Sequence, residues 1–288
     1  MKKIFLLATL PLLFASTSFA AITPGSTNLG AIWFVGDSIT QSNLDNDSSG
    51  SPRSYLYEGL NSAGYTFTYT GSKTTNPEGL SGNYIYHDGI SGSLVGATNV
   101  SNPGSRYDHT AELSNSWVSG RLATVKPDIV LLMLGTNDIN NDTNGNPPQE
   151  TADKLLTLVN NMYALPGWKT PTVFISTIAP NRQDGTKTTN TIAYNALLPG
   201  VVQTLRDGGK DVYLLDAFTP LNNSYAAMMN GDNLHPNAAG NQVIANTWLN
   251  GIESRVSAVP EPSTYGLLGA GALGAAALVR RRKHRAVI

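Results

Sequence analysis

Short apolar runs alternate with longer mixed segments along the central part of the 288-residue chain. Three of the five runs are nearly continuous, as expected for strands that helices cover on both faces. The predicted strands are AIWFVG (31–36), TFTYTG (66–71), DIVLLMLG (128–135), TVFISTI (172–178) and DVYLLD (211–216). The predicted helices are 53–63, 110–125, 149–164, 190–207 and 236–254. This alternation predicts an α/β fold in which a parallel sheet lies between layers of helices.

Ligands of such sheets bind beyond the carboxyl ends of the strands. Polar residues follow three predicted strands: GDS at 36–38, GTND at 135–138 and the loop after Asp216. We expect all three to open onto one edge. Segment 72–115 is rich in Gly, Ser and Asn, and is predicted to form loops over that edge.

Ser38, in FVGDSIT, is either a nucleophile or the N-cap of the following helix, a position that serine favours. A nucleophile needs a base, a group that orients the base, and donors for the oxyanion. Among four histidines, His284 lies in a basic tail, whereas His235 in DNLHPN follows Asp232 by three residues. In a turn, that spacing lets the carboxylate reach the imidazole Nδ1. The same stretch also fits a turn with a helix start at Pro236.

His87, in YHDGISG, is a weaker candidate for the base. Neighbouring side chains of an extended loop point apart, so Asp88 is poorly placed to orient it. Its expected uses are structural or substrate-facing, and Asp37 and Asp88 are further candidates for substrate-facing positions. Asn137 could donate its amide or satisfy its own loop backbone.

Cofactor and metal chemistry have little support in the sequence. No His-Glu-x-x-His pair or dense carboxylate cluster occurs, so no metal and no cofactor are predicted. The chain has no cysteine, which excludes thiolate catalysis and disulfides.

The two ends of the chain differ from the rest. MKKIFLLATLPLLFASTSFA has a basic start, an apolar middle and a small-residue exit, which predicts a signal peptide over 1–20. The uncharged run 263–279 has 17 residues, at the short limit of a membrane span, and RRRKHR follows it. This basic cluster is expected to stay in the cytoplasm.

Without both ends, the chain has 12 Lys and Arg residues and 20 Asp and Glu residues. That net charge of −8 opposes binding to nucleic acid.

The order of Pro260-Glu261-Pro262, an apolar segment and an arginine cluster resembles the PEP-CTERM sorting signal of Gram-negative bacteria. The resemblance implies export to the cell surface or beyond. It also implies transient membrane anchoring through the C-terminal segment and processing by exosortase-like machinery. The expected organisation is a signal peptide (1–20), a central domain (21–253), a linker with the PEP motif (254–262) and a sorting tail (263–288).

Four short blocks occur in a fixed order: GDSIT (36–40), DGISG (88–92), GTND (135–138) and DNLH (232–235). The nucleophile-elbow signature Gly-x-Ser-x-Gly is absent. The four blocks resemble those of the SGNH hydrolases, or GDSL-like esterases and lipases, over residues 30 to 252. The resemblance implies a flavodoxin-like, three-layer α/β/α sandwich around a five-stranded parallel sheet.

The same resemblance implies roles for individual residues. Ser38 would be the nucleophile and His235 the general base, oriented by Asp232. The oxyanion hole would combine the backbone N–H groups of Ser38 and Gly92 with the side-chain amide of Asn137. Glycine lets the backbone approach a substrate closely, and an amide donates a hydrogen bond without carrying charge.

SYLYEGLNSAGYTFTYTGS, YHDGISG, PDIVLLMLGTNDI and DNLHPNAAG resemble the carbohydrate esterases that include acetylxylan esterases. That branch commonly has an aromatic residue soon after its SG, where Ser93 and Leu94 stand here. We therefore expect a secreted serine esterase that removes acyl groups, chiefly O-acetyl, from an acylated polysaccharide. The alternatives are a lipase or acyl-thioesterase on the same scaffold, and a non-catalytic glycan-binding surface protein.

Overall fold

A computed structural model describes residues 26–42, 50–75, 78–102, 104, 106–113, 124–142, 145–167 and 170–257. The predicted signal peptide and sorting tail lie outside these residues. Residues 114–123 of one predicted helix also lie outside them, and residues 109–113 just before are helical. In the described part of the chain, no helix is both long enough and apolar enough to cross a membrane.

Six strands form one sheet in which every pairing is parallel. The strands are β1 (Asn28–Gly36), β2 (Thr66–Thr70), β3 (Asp88–Gly89), β4 (Ile129–Met133), β5 (Thr172–Ser176) and β6 (Val212–Leu215). Their order is β2-β1-β4-β5-β6, and β3 pairs with the end of β1. All residues of β4 and β5 are buried, as their continuous apolar sequence predicts. The five predicted strands are present. The sequence analysis did not predict β3, because a strand of two residues is too short to show a hydrophobic pattern.

Helices cover both faces of this sheet. They are α1 (Ser38–Gln41), α2 (Pro52–Ser62), α3 (Thr136–Asn141), α4 (Pro147–Ala164), α5 (Gly185–Asp207), α6 (Phe218–Asn223), α7 (Tyr225–Met228) and α8 (Ala238–Ser257). A short 3₁₀ turn spans Gly82–Tyr84. α2 packs against α8, and α4 packs against α5.

Alternate residues of β1 show which helices lie on which face. The Phe34 ring lies 5.6 Å from that of Trp248 in α8. Its neighbour Val35 lines a small cavity together with Leu158 and Met162 of α4. Successive strand residues point to opposite faces, so the two helix pairs lie on opposite sides of the sheet. The predicted three-layer α/β/α fold is confirmed.

Two helix limits differ from the predictions by three residues or more. α5 begins at Gly185 rather than 190, because the Asp184 side chain caps it by accepting a 2.7 Å hydrogen bond from the Lys187 N–H. α8 continues to Ser257, so residues 254–257, predicted as linker, are helical. Val256 is buried one turn after the buried Ile252, which keeps this last turn packed on the core.

Candidate active site

Ser38 lies where β1 ends and α1 begins. The N-cap of α1 is Asp37, whose Oδ1 accepts a 3.0 Å hydrogen bond from the Ile39 N–H. The capping alternative for Ser38 is therefore wrong, because the preceding residue performs that task. The hydroxyl of Ser38 instead lies 2.8 Å from Nε2 of His235.

Asp232 orients the imidazole of His235. Its Oδ2 lies 2.5 Å from Nδ1, and its Oδ1 accepts 3.0 Å hydrogen bonds from the backbone N–H groups of Leu234 and His235. Partial burial raises the pKa of the Asp232 carboxyl, but these hydrogen bonds outweigh that effect and hold the pKa below its usual value. An ionised carboxylate at Nδ1 favours the tautomer with the proton there. Nε2 then presents its lone pair to the Ser38 hydroxyl.

A tight turn places Asp232 and His235 on the same side. Asn233 has a φ of 62°, in the left-handed region that asparagine tolerates. The Asn230 N–H donates to the His235 carbonyl at 2.8 Å and closes the turn. Arg182, which lies outside the turn, donates its backbone N–H to the Asn233 carbonyl at 2.9 Å. The guanidinium of Arg182 lies 3.9 Å from the centroid of the Tyr225 ring.

The two other residues predicted for the oxyanion hole lie on separate loops. Gly92 follows β3 and has a φ of 73°, which favours glycine. Asn137 is the second residue of α3, after β4, and its Nδ2 donates a 3.0 Å hydrogen bond to the Ser93 carbonyl. This contact brings the two loops together. It uses one of the two amide hydrogens and leaves the other for a ligand.

The loop that carries Gly92 is anchored to the end of β1. The Gly36 carbonyl accepts 3.0 Å hydrogen bonds from the Ser93 hydroxyl and the Ile90 N–H, and lies 3.0 Å from Nε2 of His109. Burial lowers the pKa of His109 to about 4, so the ring is neutral at pH 7 with a proton on Nε2. No sequence pattern singled out His109, because its partners are distant in the chain.

Asp138 anchors the next part of the same loop. Its carboxylate accepts hydrogen bonds from the N–H groups of Val95 at 2.8 Å and Gly96 at 3.3 Å. Burial raises its pKa to about 7, and the ammonium of Lys154 lies 3.8 Å away. Asp138 therefore holds the backbone of this loop in place. Its side chain is fully buried.

The three candidates for substrate-facing positions, Asp37, His87 and Asp88, have buried side chains, which does not favour such a role. Asp37 caps α1, as described above. His87 is fully buried, and its Nε2 lies 2.8 Å from the Thr75 carbonyl. The Asp88 carboxylate accepts a 2.6 Å hydrogen bond from the Trp33 indole N–H. Each of these side chains has an internal hydrogen-bond partner, which favours the structural alternative for His87. The described residues contain no cluster of three or more histidines and carboxylates that could hold a metal ion.

A serine at the end of the first strand of an α/β sandwich, joined by hydrogen bonds to a histidine and an aspartate, has the arrangement of a serine hydrolase. Residues 32–248 match the family model GDSL-like Lipase/Acylhydrolase, and the chain belongs to that family. Residues 258–283 match the PEP-CTERM protein-sorting motif. The predicted family and the predicted sorting motif are confirmed.

Known proteins with similar sequences and structures include several esterases. The chain is 28% identical over 239 residues to a "Multidomain esterase" of Ruminococcus flavefaciens, covering 79% of this chain and 29% of that protein. It resembles a family 3 carbohydrate esterase of Clostridium thermocellum, at 26% identity and a TM-score of 0.55, over 78% of this chain and 97% of the other.

Two further solved structures share the fold. A family 3 carbohydrate esterase from Talaromyces cellulolyticus has a TM-score of 0.57 at 23% identity, over 80% of this chain and 99% of the other. Axe2, an acetylxylan esterase from Geobacillus stearothermophilus, has a TM-score of 0.52 at 19% identity, over 81% of this chain and 96% of the other.

Proposed function

We propose that the protein is an exported serine esterase that removes O-acetyl groups from a polysaccharide. The hydrogen-bonded chain from Ser38 through His235 to Asp232, on a member of the GDSL-like family, carries this proposal. The similarity to family 3 carbohydrate esterases, one of them at 26% identity, supports the substrate class.

The geometry fits acyl transfer in two halves. Oγ of Ser38 attacks the ester carbonyl carbon while its proton passes to Nε2 of His235, and Asp232 stabilises the imidazolium. The carbonyl oxygen becomes an oxyanion that accepts hydrogen bonds from Ser38 N, Gly92 N and the Asn137 amide. The bond to the sugar oxygen then breaks, and that oxygen takes the proton from His235.

The second half removes the acyl group from the enzyme. Water gives a proton to His235 and attacks the acyl-enzyme carbonyl, and a second oxyanion forms in the same place. Ser38 leaves with the proton, which regenerates the enzyme and releases acetate. No cofactor enters this cycle.

The position of the triad supports a polymeric substrate. The side chains of His235 and Asp232 are 21% and 43% exposed, so the site lies at the protein surface. A sugar ring within a long chain can reach such a site without threading into a cavity. The net charge of −8 between the two ends is compatible with a neutral glycan.

We propose, too, that the C-terminal segment anchors the chain in the membrane only until processing. The PEP-CTERM motif indicates export and sorting in Gram-negative bacteria and implies an exosortase-like partner. Intact mass spectrometry of the protein recovered outside its source cells should show a chain without RRRKHR. A full-length C-terminus on that protein would refute the processing step.

Hydrolysis of p-nitrophenyl esters of increasing chain length tests the activity directly. We expect acetate to be the best substrate and Ser38→Ala to lose nearly all turnover. A preference for long acyl chains would favour the lipase or thioesterase alternative. If an organophosphonate does not label Ser38 in the folded protein, the glycan-binding alternative is favoured. A panel of acetylated glycans would then identify the natural substrate.

A further inference from the structure

The proposed oxyanion hole is assembled from loops that are far apart in sequence. Gly92 lies after β3 and Asn137 lies at the start of α3. Donors of this kind stabilise a transition state only if they are held close to the productive geometry, and a shift of about 1 Å can reduce the rate about 100-fold. Some group must therefore fix the spacing between the two loops.

Arg106 contacts both of these loops. Its Nη1 donates a 3.3 Å hydrogen bond to the Gly92 carbonyl, and its Nη2 donates a 2.9 Å hydrogen bond to Oδ1 of Asn141. Asn141 in turn donates from its side-chain amide to the Asn137 carbonyl at 2.6 Å. One guanidinium thus connects the residue before the Ser93 turn to the helix that carries Asn137.

Arg106 forms no ion pair with an acid in the part of the chain that the structure describes. Among the residues that the structure describes, no carboxylate lies within 4.0 Å of it, and its partners are a carbonyl and an amide oxygen. The side chain is partly buried, which reduces screening of this charge by water. A positive charge beside Gly92 favours an oxyanion that forms nearby.

Arginine is specifically suited to this place. Its planar group presents two N–H donors at a fixed angle, so it can hold two acceptors at a set separation. Lysine keeps the charge but offers one flexible ammonium. Gly92 makes such a contact useful, because glycine restricts its own backbone dihedrals less than any other residue.

We propose that Arg106 is the positioning residue of the oxyanion hole, which it holds together through Gly92 on one side and Asn141 on the other. This inference rests on the proposed function, because it assumes that Gly92 and Asn137 donate to an oxyanion. Arg106 itself takes no part in proton transfer.

Steady-state kinetics of Arg106→Met and Arg106→Lys on p-nitrophenyl acetate test the proposal. For Arg106→Met we expect kcat to fall about 10- to 100-fold with KM within about twofold, because the loss concerns the transition state. The kcat of Arg106→Lys should lie between those of Arg106→Met and the unchanged protein, since lysine keeps the charge but loses the two N–H donors at a fixed angle. Added guanidinium should restore part of the kcat of Arg106→Met.

Arg206→Met is the matched control. Arg206 is an exposed arginine whose guanidinium lies 5.4 Å from the ring centroid of Tyr213, away from the site. Its kcat and KM should stay those of the unchanged protein. Melting temperatures of all variants separate a loss of fold from a loss of positioning, and Arg106→Lys gives a second variant if Arg106→Met does not fold.

Asn141→Ala tests the other half of the connection. If Arg106 acts through Asn141, the double variant should lose less activity than the product of the two single losses. Strictly multiplicative losses would overturn this route. A folded Arg106→Met with an unchanged kcat would overturn the whole inference. Failure of the proposed function is recognised separately, because the unchanged protein would then hydrolyse no ester and Ser38→Ala would make no difference.

Discussion

The Ser38 hydroxyl lies 2.8 Å from Nε2 of His235, although 197 positions separate the two residues in the sequence. Each residue is held by its own neighbourhood. Asp37 caps the helix that begins with Ser38. Asp232 makes one hydrogen bond with the imidazole of His235 and accepts two more from backbone N–H groups of the turn. The contact between them therefore depends on the sheet, which brings the two loops to one edge.

Asp232→Asn should leave the fold intact and reduce kcat about 100-fold or more. An amide at this place favours the wrong tautomer of His235 and gives no charge to stabilise an imidazolium. Stopped turnover assays on p-nitrophenyl acetate and a circular dichroism melt would measure both effects. Nearly full kcat in the folded variant would remove Asp232 from the mechanism.

Asn137→Ala should lower kcat about 100- to 1,000-fold with little change in KM, as for the loss of one oxyanion donor. Asn137→Asp is the sharper comparison, because it keeps the size of the side chain and places a negative charge where an oxyanion forms. We expect it to be slower still at pH 7. Equal or faster turnover by the aspartate variant would contradict the assignment.

Asp88→Ala should destabilise the protein without changing KM. The buried carboxylate accepts hydrogen bonds from the Trp33 indole and from Ser72, and its loss leaves these donors unpaired at about 1–3 kcal/mol each. Thermal melts and steady-state kinetics on an acetylated glycan give the two quantities. A raised KM with an unchanged melting temperature would instead restore a substrate-facing role for Asp88.

His109→Gln should change how stability depends on pH. The folded pKa of His109 is lowered to about 4 from 6.5, so between these values the unfolded chain binds a proton that the folded chain does not. Stability from this group is complete above pH 6.5 and falls by about 3 kcal/mol as the pH drops to 4.

Glutamine cannot be protonated, yet its amide can still donate to the Gly36 carbonyl. Urea unfolding at pH 7 and pH 4.5 should therefore show a smaller acid loss for the variant than for the unchanged protein. His87, buried with its pKa lowered to about 3, stays in both and cancels in the comparison. Identical losses in the two proteins would show that His109 is not buried as a neutral ring.

Gly135→Ala should be strongly destabilising, by at least about 2 kcal/mol. Gly135 has a φ of 129°, and an added Cβ would lie 2.8 Å from the Tyr194 ring. The ring must then move, and so must the start of α3 that carries Asn137. We expect both the melting temperature and kcat to fall.

Gly200→Ala is the matched substitution in a position without such limits. An added Cβ meets no atom within 4 Å there, and the residue lies inside α5. Replacing a helical glycine by alanine should stabilise the protein by about 0.5–1 kcal/mol. If Gly135→Ala and Gly200→Ala changed the free energy of unfolding by the same amount, the predicted contact between an added Cβ at position 135 and the Tyr194 ring would be refuted.

The sequence predicts β4 and β5 well because both strands are buried on both faces. IVLLM of β4 belongs to a continuous apolar run that is too short for a typical helix, and its five residues are all buried. β3 was not predicted, because Asp88 and Gly89 have no apolar character and pair only with the end of β1. Its existence depends on the strand beside it rather than on local preference.

The same distinction separates the site residues. Asp232 and His235 are three positions apart, so their pairing has a local signature. Arg106 and His109 had none, since their partners lie 14 to 73 positions away. Burial of Asp88 was missed for the same reason: its Trp33 partner is 55 positions distant, and an isolated acidic residue in a loop is usually exposed.

The long separation of Ser38 and His235 has a consequence for biosynthesis. A chain is made from its N-terminus, so the proposed nucleophile is complete while most of the sheet is still missing. The nascent protein cannot hydrolyse an ester until the turn that holds His235 has been made and has docked against the end of β1. The proposed ester hydrolysis would therefore begin only after nearly the whole domain has been synthesised and has folded, so its onset would measure maturation of the protein.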